Sequence, residues 1–336
     1  MKVYDNFDLK SKNSFSIPAK CKQFIELETE EDIIESIQRN WFQEPFLILG
    51  GGTNILFTQD FSGRVFHPFF YGIQDLKSTE KEVFVEVGAS ELWDDVVKYC
   101  MANNYGGAEN LSGIPGWVGS SAVQNIGAYG VEIKNVIESV KGYNLKTANP
   151  IEILAENCAY GYRDSIFKHQ FKQQICITSV VYKFQKNPEI NLSYKSLKDE
   201  FQKSGLEINI KNIREIVLQI RDSKLPNPEK TGNAGSFFKN PVIERKQAEV
   251  LKTDYPQLIT YHVSENQVKL AAGQLIEWCG LKGFQIGGVA VHQNQALVLV
   301  NIKQATGKDV VQLAKHIQTE VYRKFAVCLE SEVIWV

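Results

Sequence analysis

Hydrophobic and polar positions along the chain follow two periods, and they mark out its elements. Between Phe24 and about Phe66, short apolar runs surround a segment opening at Thr29-Glu30-Glu31-Asp32, in which Ile33, Ile34 and Ile37 share one helical face. This predicts a small α+β unit. Val83 to Gly88 reads as a strand, Ser90 as an N-cap, and Leu92, Trp93, Val96, Val97 and Cys100 as the core stripe of a helix stopped at Asn103-Asn104-Tyr105-Gly106-Gly107. Helical spacing also runs from Ile213 to Ile220, from Gln274 to Cys279, and through Val310, Leu313, Ala314, Ile317, Val321 and Phe325. Val289 to Val300 includes an apolar strand, and Val327 to Val336 is the expected last strand. Pro226-Asn227-Pro228 marks the main domain boundary.

Glycines interrupt this pattern in three places. Gly50-Gly51-Gly52-Thr53-Asn54 follows the apolar run Phe46 to Leu49 and leads into Ile55-Leu56-Phe57 instead of a helix. It is neither a dinucleotide fingerprint, which opens a helix, nor a Walker loop, which ends in Gly-Lys-Ser/Thr. Two readings remain: an ordinary hairpin turn, or a backbone nest for pyrophosphate oxygens. The stretch from Leu111 to Gly130 has glycines at 113, 116, 119, 127 and 130 and almost no charge. Its small residues suit a flat ligand lying against the backbone better than a solvated loop. A third stretch runs from Gly232 to Pro241.

Composition narrows the class. The 336 residues exceed what one core usually covers, and 43% hydrophobic with 23% charged residues is ordinary for a globular protein. A net charge of −2 offers no basic field, so nucleic acid is not an expected partner. The opening Met1-Lys2-Val3-Tyr4 lacks an apolar targeting core and no run of about 18 apolar residues occurs, which leads to the expectation of a cytoplasmic protein. Cys21, Cys100, Cys158, Cys176, Cys279 and Cys328 form no C-x-x-C pair and read as reduced core residues. His67, His169, His262, His292 and His316 lack metal-binding spacing, so no metal site is expected.

Candidate chemistry is sparse. Ser236 lacks the second glycine of a nucleophile elbow, and serine beside glycine usually makes a local turn bond. In Leu329-Glu330-Ser331-Glu332-Val333, period two puts both glutamates on one face, either as solvated charges or with one carboxyl at a pocket wall. Arg163 beside Asp164 is either a surface ion pair or a fork that holds negative charge on a ligand.

Taken in order, these blocks resemble the UDP-N-acetylenolpyruvoylglucosamine reductase (MurB) family of bacterial peptidoglycan synthesis. The carriers are Gly50 to Asn54, Ile114 to Gly130, Tyr162 to Lys168, Gly232 to Pro241, Gln285 to Gly288 and Leu329 to Val333. The segment around Leu192-Ser193-Tyr194 is similar to the longer family form, in which a tyrosine loop closes over the substrate. The resemblance implies an α+β, three-domain flavoprotein with a vanillyl-alcohol-oxidase-type (PCMH-type) FAD-binding module and a C-terminal substrate domain. Residues 1–68, joined by 329–336, and 69–225 would hold non-covalent FAD, and 226–328 the substrate. NADPH would supply hydride for reduction of UDP-N-acetylglucosamine enolpyruvyl ether to UDP-N-acetylmuramate.

Carried over by position, Ser236 matches the proton donor, and Arg163 and Glu332 match groups supporting the intermediate. The resemblance further implies FAD contacts at Gly50, Gly51, Gly52, Thr53, Asn54, Ile114, Pro115, Gly116, Gly119, Ser120, Gly127, Ala128, Tyr129 and Arg163. Tyr194, Lys224, Asn240 and Gln295 match substrate-binding positions. Where the family commonly has Arg two residues after the glutamate, this chain has Ile334. Two other classes would give different observations. A flavin oxidase would reoxidise rapidly in oxygen, and a non-catalytic sugar-nucleotide binder would be colourless.

Overall fold

The computed structural model describes residues 1–336 and divides into two compact units. The first comprises Met1–Phe7, Cys21–Gly51 and Ser62–Ser223; the second comprises Asp8–Lys20, Gly52–Phe61 and Lys224–Val336. The chain passes from one to the other inside the first glycine loop.

The first unit is built on an antiparallel sheet ordered Pro150–Leu154, Ile137–Asn144, Ile175–Gln185, Glu82–Gly88, Ile73–Ser78. The Trp93–Asn103 and Val118–Gln124 helices share its core, where Val85, Val87, Trp93, Val96, Val97, Val118, Ala122 and Val180 are all buried. A four-stranded sheet, ordered Lys2–Asp8, Lys20–Leu27, Phe61–Pro68, Phe46–Ile48, ends in a parallel pair. The Glu30–Gln38 helix starts where the sequence places it, with Thr29 and Asp32 closing a reciprocal capping box. Two more helices, Lys195–Ser204 and Ile210–Lys224, bury Leu197, Phe201, Ile213, Ile216, Val217 and Ile220 against each other.

The second unit holds an antiparallel sheet ordered Asn233–Ser236, Val298–Asn301, Val289–Val291, Gln285–Ile286. A smaller sheet joins Val242–Glu244, Gln267–Leu270 and Thr260–His262. The Gly307–Phe325 helix buries all six of its expected apolar residues. At roughly 1.5–3 kcal/mol for each large side chain, that burial outweighs the helix's own propensity.

Several expectations need correction. Ser90 does not cap the helix: its hydroxyl donates to the Pro68 carbonyl and accepts from the Phe70 N–H, and the helix starts after Leu92. Leu92 is 50% exposed, outside the core stripe. The last strand is only Ile334–Trp335, parallel to Ile55–Leu56. Consequently the first glycine loop is no hairpin, because the strands on its two sides belong to different sheets. Four cysteines are buried, but Cys279 is half-buried and Cys328 exposed; all six are free thiols. No helix is long and apolar enough to cross a membrane.

Candidate active site

In the first unit, the approach to the glycine loop is held rigidly. His67 Nδ1 lies 2.7 Å from the Leu49 carbonyl, and the buried imidazole packs against Phe24 and Trp117. Gly50 and Gly51 then cross the Trp117 indole so closely that a Cβ on Gly51 would sit 3.0 Å from Cδ1. No strand or turn bond to a backbone carbonyl uses the N–H groups of these two glycines. Across the boundary in the second unit, Gly52 has φ +63°, and a Cβ there would lie 2.0 Å from the Lys12 carbonyl. Only glycine satisfies both demands. Backbone this bare, with donors left over, fits a pyrophosphate-bearing cofactor.

The second glycine block supplies close approach more than free donors. The N–H groups of Val118 and Gly119 already donate to the carbonyls of Glu91 and Ala89. Ser120 Oγ is engaged with the Trp117 backbone, accepting from its N–H and donating to its carbonyl. Gly119 therefore serves contact: a Cβ there would lie 3.1 Å from that of Ala89. Ile114 and Gly116 are half-buried, with φ +120° at Gly116, and Pro115 is exposed. Gly127–Ala128 pairs with Val131–Glu132 through a two-residue turn whose residues, Tyr129 and Gly130, have φ +48° and +82°. Such a tight hairpin requires positive φ at both positions.

Arg163 joins this hairpin. Its Nη2 donates to the Gly127 carbonyl at 2.7 Å and Nη1 to that of Asn125 at 3.4 Å, while Lys168 Nζ holds the Arg163 carbonyl at 2.7 Å. Arg163 itself has φ +54°, an uncommon and strained conformation away from glycine, and such strain concentrates at functional positions. The surface ion-pair reading fails, since Asp164 turns instead to His169 at 2.8 Å. Tyr194, also in this unit, meets the Tyr129 ring edge-on at 5.6 Å.

In the second unit, the Gly232 to Pro241 stretch runs beside the chain terminus. The Glu332 N–H donates to the Phe237 carbonyl at 2.8 Å, the Lys239 N–H donates to the Glu330 carbonyl, and Phe238 bridges Ser331. Glu332 is thereby placed one backbone bond from the residue after Ser236, and Asn54 Nδ2 donates to the Glu332 carbonyl at 3.1 Å. Gly235, at φ +69°, turns the chain just before Ser236. The two glutamates part company: Glu330 is largely exposed and lies 3.7 Å from Lys239, whereas Glu332 is half-buried.

Asn240 and Gln295 converge on the start of the Ala272–Trp278 helix. Asn240 Oδ1 accepts from the Ala272 N–H at 2.9 Å, and Gln295 Oε1 lies 3.3 Å from where a Gly273 Cβ would stand. Lys224 is exposed at the end of its helix.

Sequence reasoning missed two polar side chains of the first unit. Arg221 continues the buried Ile213 and Val217 row with a cation, which is a legible signal in a helical pattern. Its guanidinium is pushed below its usual pKa by burial, partly offset by the Tyr129 phenol and Asp94. Burial likewise raises the Tyr129 phenol, with Arg221 opposing. Asn110, fully buried, had no signal at all.

Comparison with known proteins identifies the family. Residues 21–149 match the family described as FAD binding domain, and 227–336 match UDP-N-acetylenolpyruvoylglucosamine reductase, C-terminal domain. Reductases of that name from Flavobacterium johnsoniae and Neisseria meningitidis serogroup C are 43% and 44% identical, with 99% and 98% of this chain and 99% and 96% of theirs covered. A crystal structure of the Thermus caldophilus reductase shares the fold, with TM-score 0.70 and 23% identity over 99% of this chain and 98% of that one. With similarity of this degree over its whole length, the chain belongs to the UDP-N-acetylenolpyruvoylglucosamine reductase family.

Proposed function

We propose that this chain is the FAD-dependent oxidoreductase that reduces UDP-N-acetylglucosamine enolpyruvyl ether to UDP-N-acetylmuramate with NADPH, a step of peptidoglycan synthesis. Full-length similarity to the named reductases and the FAD-binding match support that activity. Bound FAD supplies the hydride relay from NADPH to C3 of the enolpyruvyl group. The chain's own residues do the rest. Gly50 to Asn54 and the Ile114 to Tyr129 block, which includes Gly116, Gly119, Ser120, Gly127 and Ala128, hold the cofactor through backbone donors and close contact.

Hydride addition at C3 builds negative charge at C2 and on its carboxylate; in this reading the Arg163 guanidinium stabilises that charge, with Glu332 as a second group supporting the intermediate. Ser236 then gives its proton to C2. An aliphatic hydroxyl is a weak acid, useful only opposite a strongly basic centre, which this intermediate provides. Tyr194, Lys224, Asn240 and Gln295 bind the sugar nucleotide. Residues 1–68 with 329–336, and 69–225, serve FAD in this division of labour, and 226–328 the substrate. The site of action is the cytoplasm, which fractionation would check.

The pairing of the Phe237 to Lys239 segment with Glu330 to Glu332 is the observation that supports the assignment of roles, since it holds the Glu332 backbone one hydrogen bond from the residue after Ser236. Ser236→Ala tests it. Stopped-flow absorbance should show normal bleaching by anaerobic NADPH, then recolouring by the enolpyruvyl substrate slowed about 10²–10⁴-fold, a barrier increase of about 3–5 kcal/mol. Recolouring at the wild-type rate would leave Ser236 as a turn residue.

A further inference from the structure

Asn110 sits inside the first unit at 1% exposure, between two segments that are distant in sequence. Its Nδ2 spends both hydrogens on backbone carbonyls, those of Tyr129 and Asn191, each at 2.9 Å. Tyr129 belongs to the hairpin turn that Arg163 also grips through Gly127. Asn191 begins the segment that presents Tyr194. One amide thus bolts the tyrosine segment to the glycine-rich hairpin.

Other contacts follow from that bolt. Asn191 Oδ1 accepts from the N–H of Ser193 at 2.9 Å and from its hydroxyl at 2.6 Å, folding the chain over just before Tyr194. Asn191 Nδ2 reaches the Gly130 carbonyl at 3.5 Å. Gly130 leaves so little room that a Cβ there would lie 2.9 Å from Ser193 Oγ. Tyr194 then occupies the N-cap position of the Lys195–Ser204 helix, its ring edge-on to that of Tyr129. The far end of the Asn110 side chain is left unserved: Oδ1 is buried with no hydrogen-bond partner. Buried acceptors are nearly always paired, so the fold forgoes a bond at one end of this amide to keep two at the other.

We propose that Asn110 is a positioning residue for substrate binding, holding Tyr194 in register with the Tyr129 turn by donating to both carbonyls. The inference rests on Tyr194 binding the sugar nucleotide, as assigned above. The requirement is chemical as well as steric. Only a side chain with two donors on one atom meets two carbonyls, and a carboxylate of the same shape repels both.

Asn110→Asp in the FAD-loaded enzyme is the test. Near pH 8 the KM for the enolpyruvyl substrate should rise at least tenfold with flavin content unchanged. The defect should shrink as pH falls, because the protonated carboxyl regains one donor. Hydrogen exchange in the substrate-free enzyme should be faster across residues 188–196 than in wild type. A wild-type KM with unchanged exchange would overturn the proposal, as would a KM defect that does not vary with pH. Tyr194→Phe separates the premise from the inference: if it leaves KM untouched, the substrate assignment of Tyr194 fails, and exchange alone then decides whether Asn110 holds the segment. Should Asn110→Asp not retain flavin, Asn110→Ser is read by the same exchange measurement, and protection equal to wild type would refute the role.

Discussion

At the scale of single residues, conformation and chemistry constrain the site together. Arg163 combines a left-handed backbone with a guanidinium fixed on Gly127, so its fork is aimed before any ligand arrives. Arg163→Lys keeps the charge and meets the same backbone demand, but loses the two-pronged donor. At about 1.5–3 kcal/mol for a charge-assisted bond, turnover should fall about 10–100-fold. Steady-state kcat with an unchanged circular dichroism spectrum is the check, and near wild-type turnover would count against the role. Gly52→Ala meets two obstacles, positive φ and the Lys12 carbonyl at 2.0 Å. The conformational part alone costs about 1–2 kcal/mol, and the clash forces the loop to move. The variant should purify with less flavin and melt lower; a full flavin complement would show that the loop does not cradle the cofactor.

Among elements, the Ile210–Lys224 helix is tied down by one carboxylate. Asp94 accepts from Arg214 Nη1 and Nη2 at 2.7 and 2.8 Å and from the Gly113 N–H at 2.7 Å, linking the Ile210–Lys224 helix, the Trp93–Asn103 helix and the glycine-rich block. Burial pushes the Asp94 carboxyl up, but the Arg214 fork and the Gly113 N–H more than offset this, and it stays below the usual carboxylate range. Asp94→Asn leaves a mostly buried guanidinium without its counter-charge. A loss of about 1–3 kcal/mol in denaturant unfolding is expected, together with a higher KM for substrate as Lys224, assigned to the sugar nucleotide, loosens on the same helix. A midpoint equal to that of wild type would mean solvent replaces the pair.

For the whole molecule, acid should remove both stability and flavin. The carboxyls of Asp94 and Asp309 lie below their ordinary value, the first as described and the second because it accepts from the Thr306 backbone and hydroxyl. A depressed folded pKa gives stability that is complete above the unfolded value of about 4 and is lost as pH falls through the folded one. Melting temperature should therefore hold from neutral pH down to about 5 and decline below about 4. The flavin should leave with the fold, because the glycine blocks contain no evident covalent attachment point. Flavin remaining on acid-precipitated chain would contradict this.

Local periodicity was enough for the Glu30–Gln38 and Gly307–Phe325 helices, because capping and amphipathic spacing act within one or two turns. The glycine blocks and the Gly232 to Pro241 stretch, taken in order, were enough for a resemblance to the family and, through it, for the expected cofactor. What the sequence left open was long-range. Whether Gly50 to Asn54 is a hairpin depended on strand pairing, and Phe46–Ile48 and Ile55–Leu56 joined different sheets. Whether Arg163 pairs with Asp164 depended on the Gly127 carbonyl, 36 residues away. The separation of Glu332 from Glu330 came from the backbone of Phe237 and Lys239, nearly a hundred positions upstream. Asn110 acquires meaning only where two carbonyls 19 and 81 residues further on meet its amide. A hydrogen bond is local in space and indifferent to sequence distance, so one chain read alone specifies which groups need partners while the tertiary structure decides which partners they find.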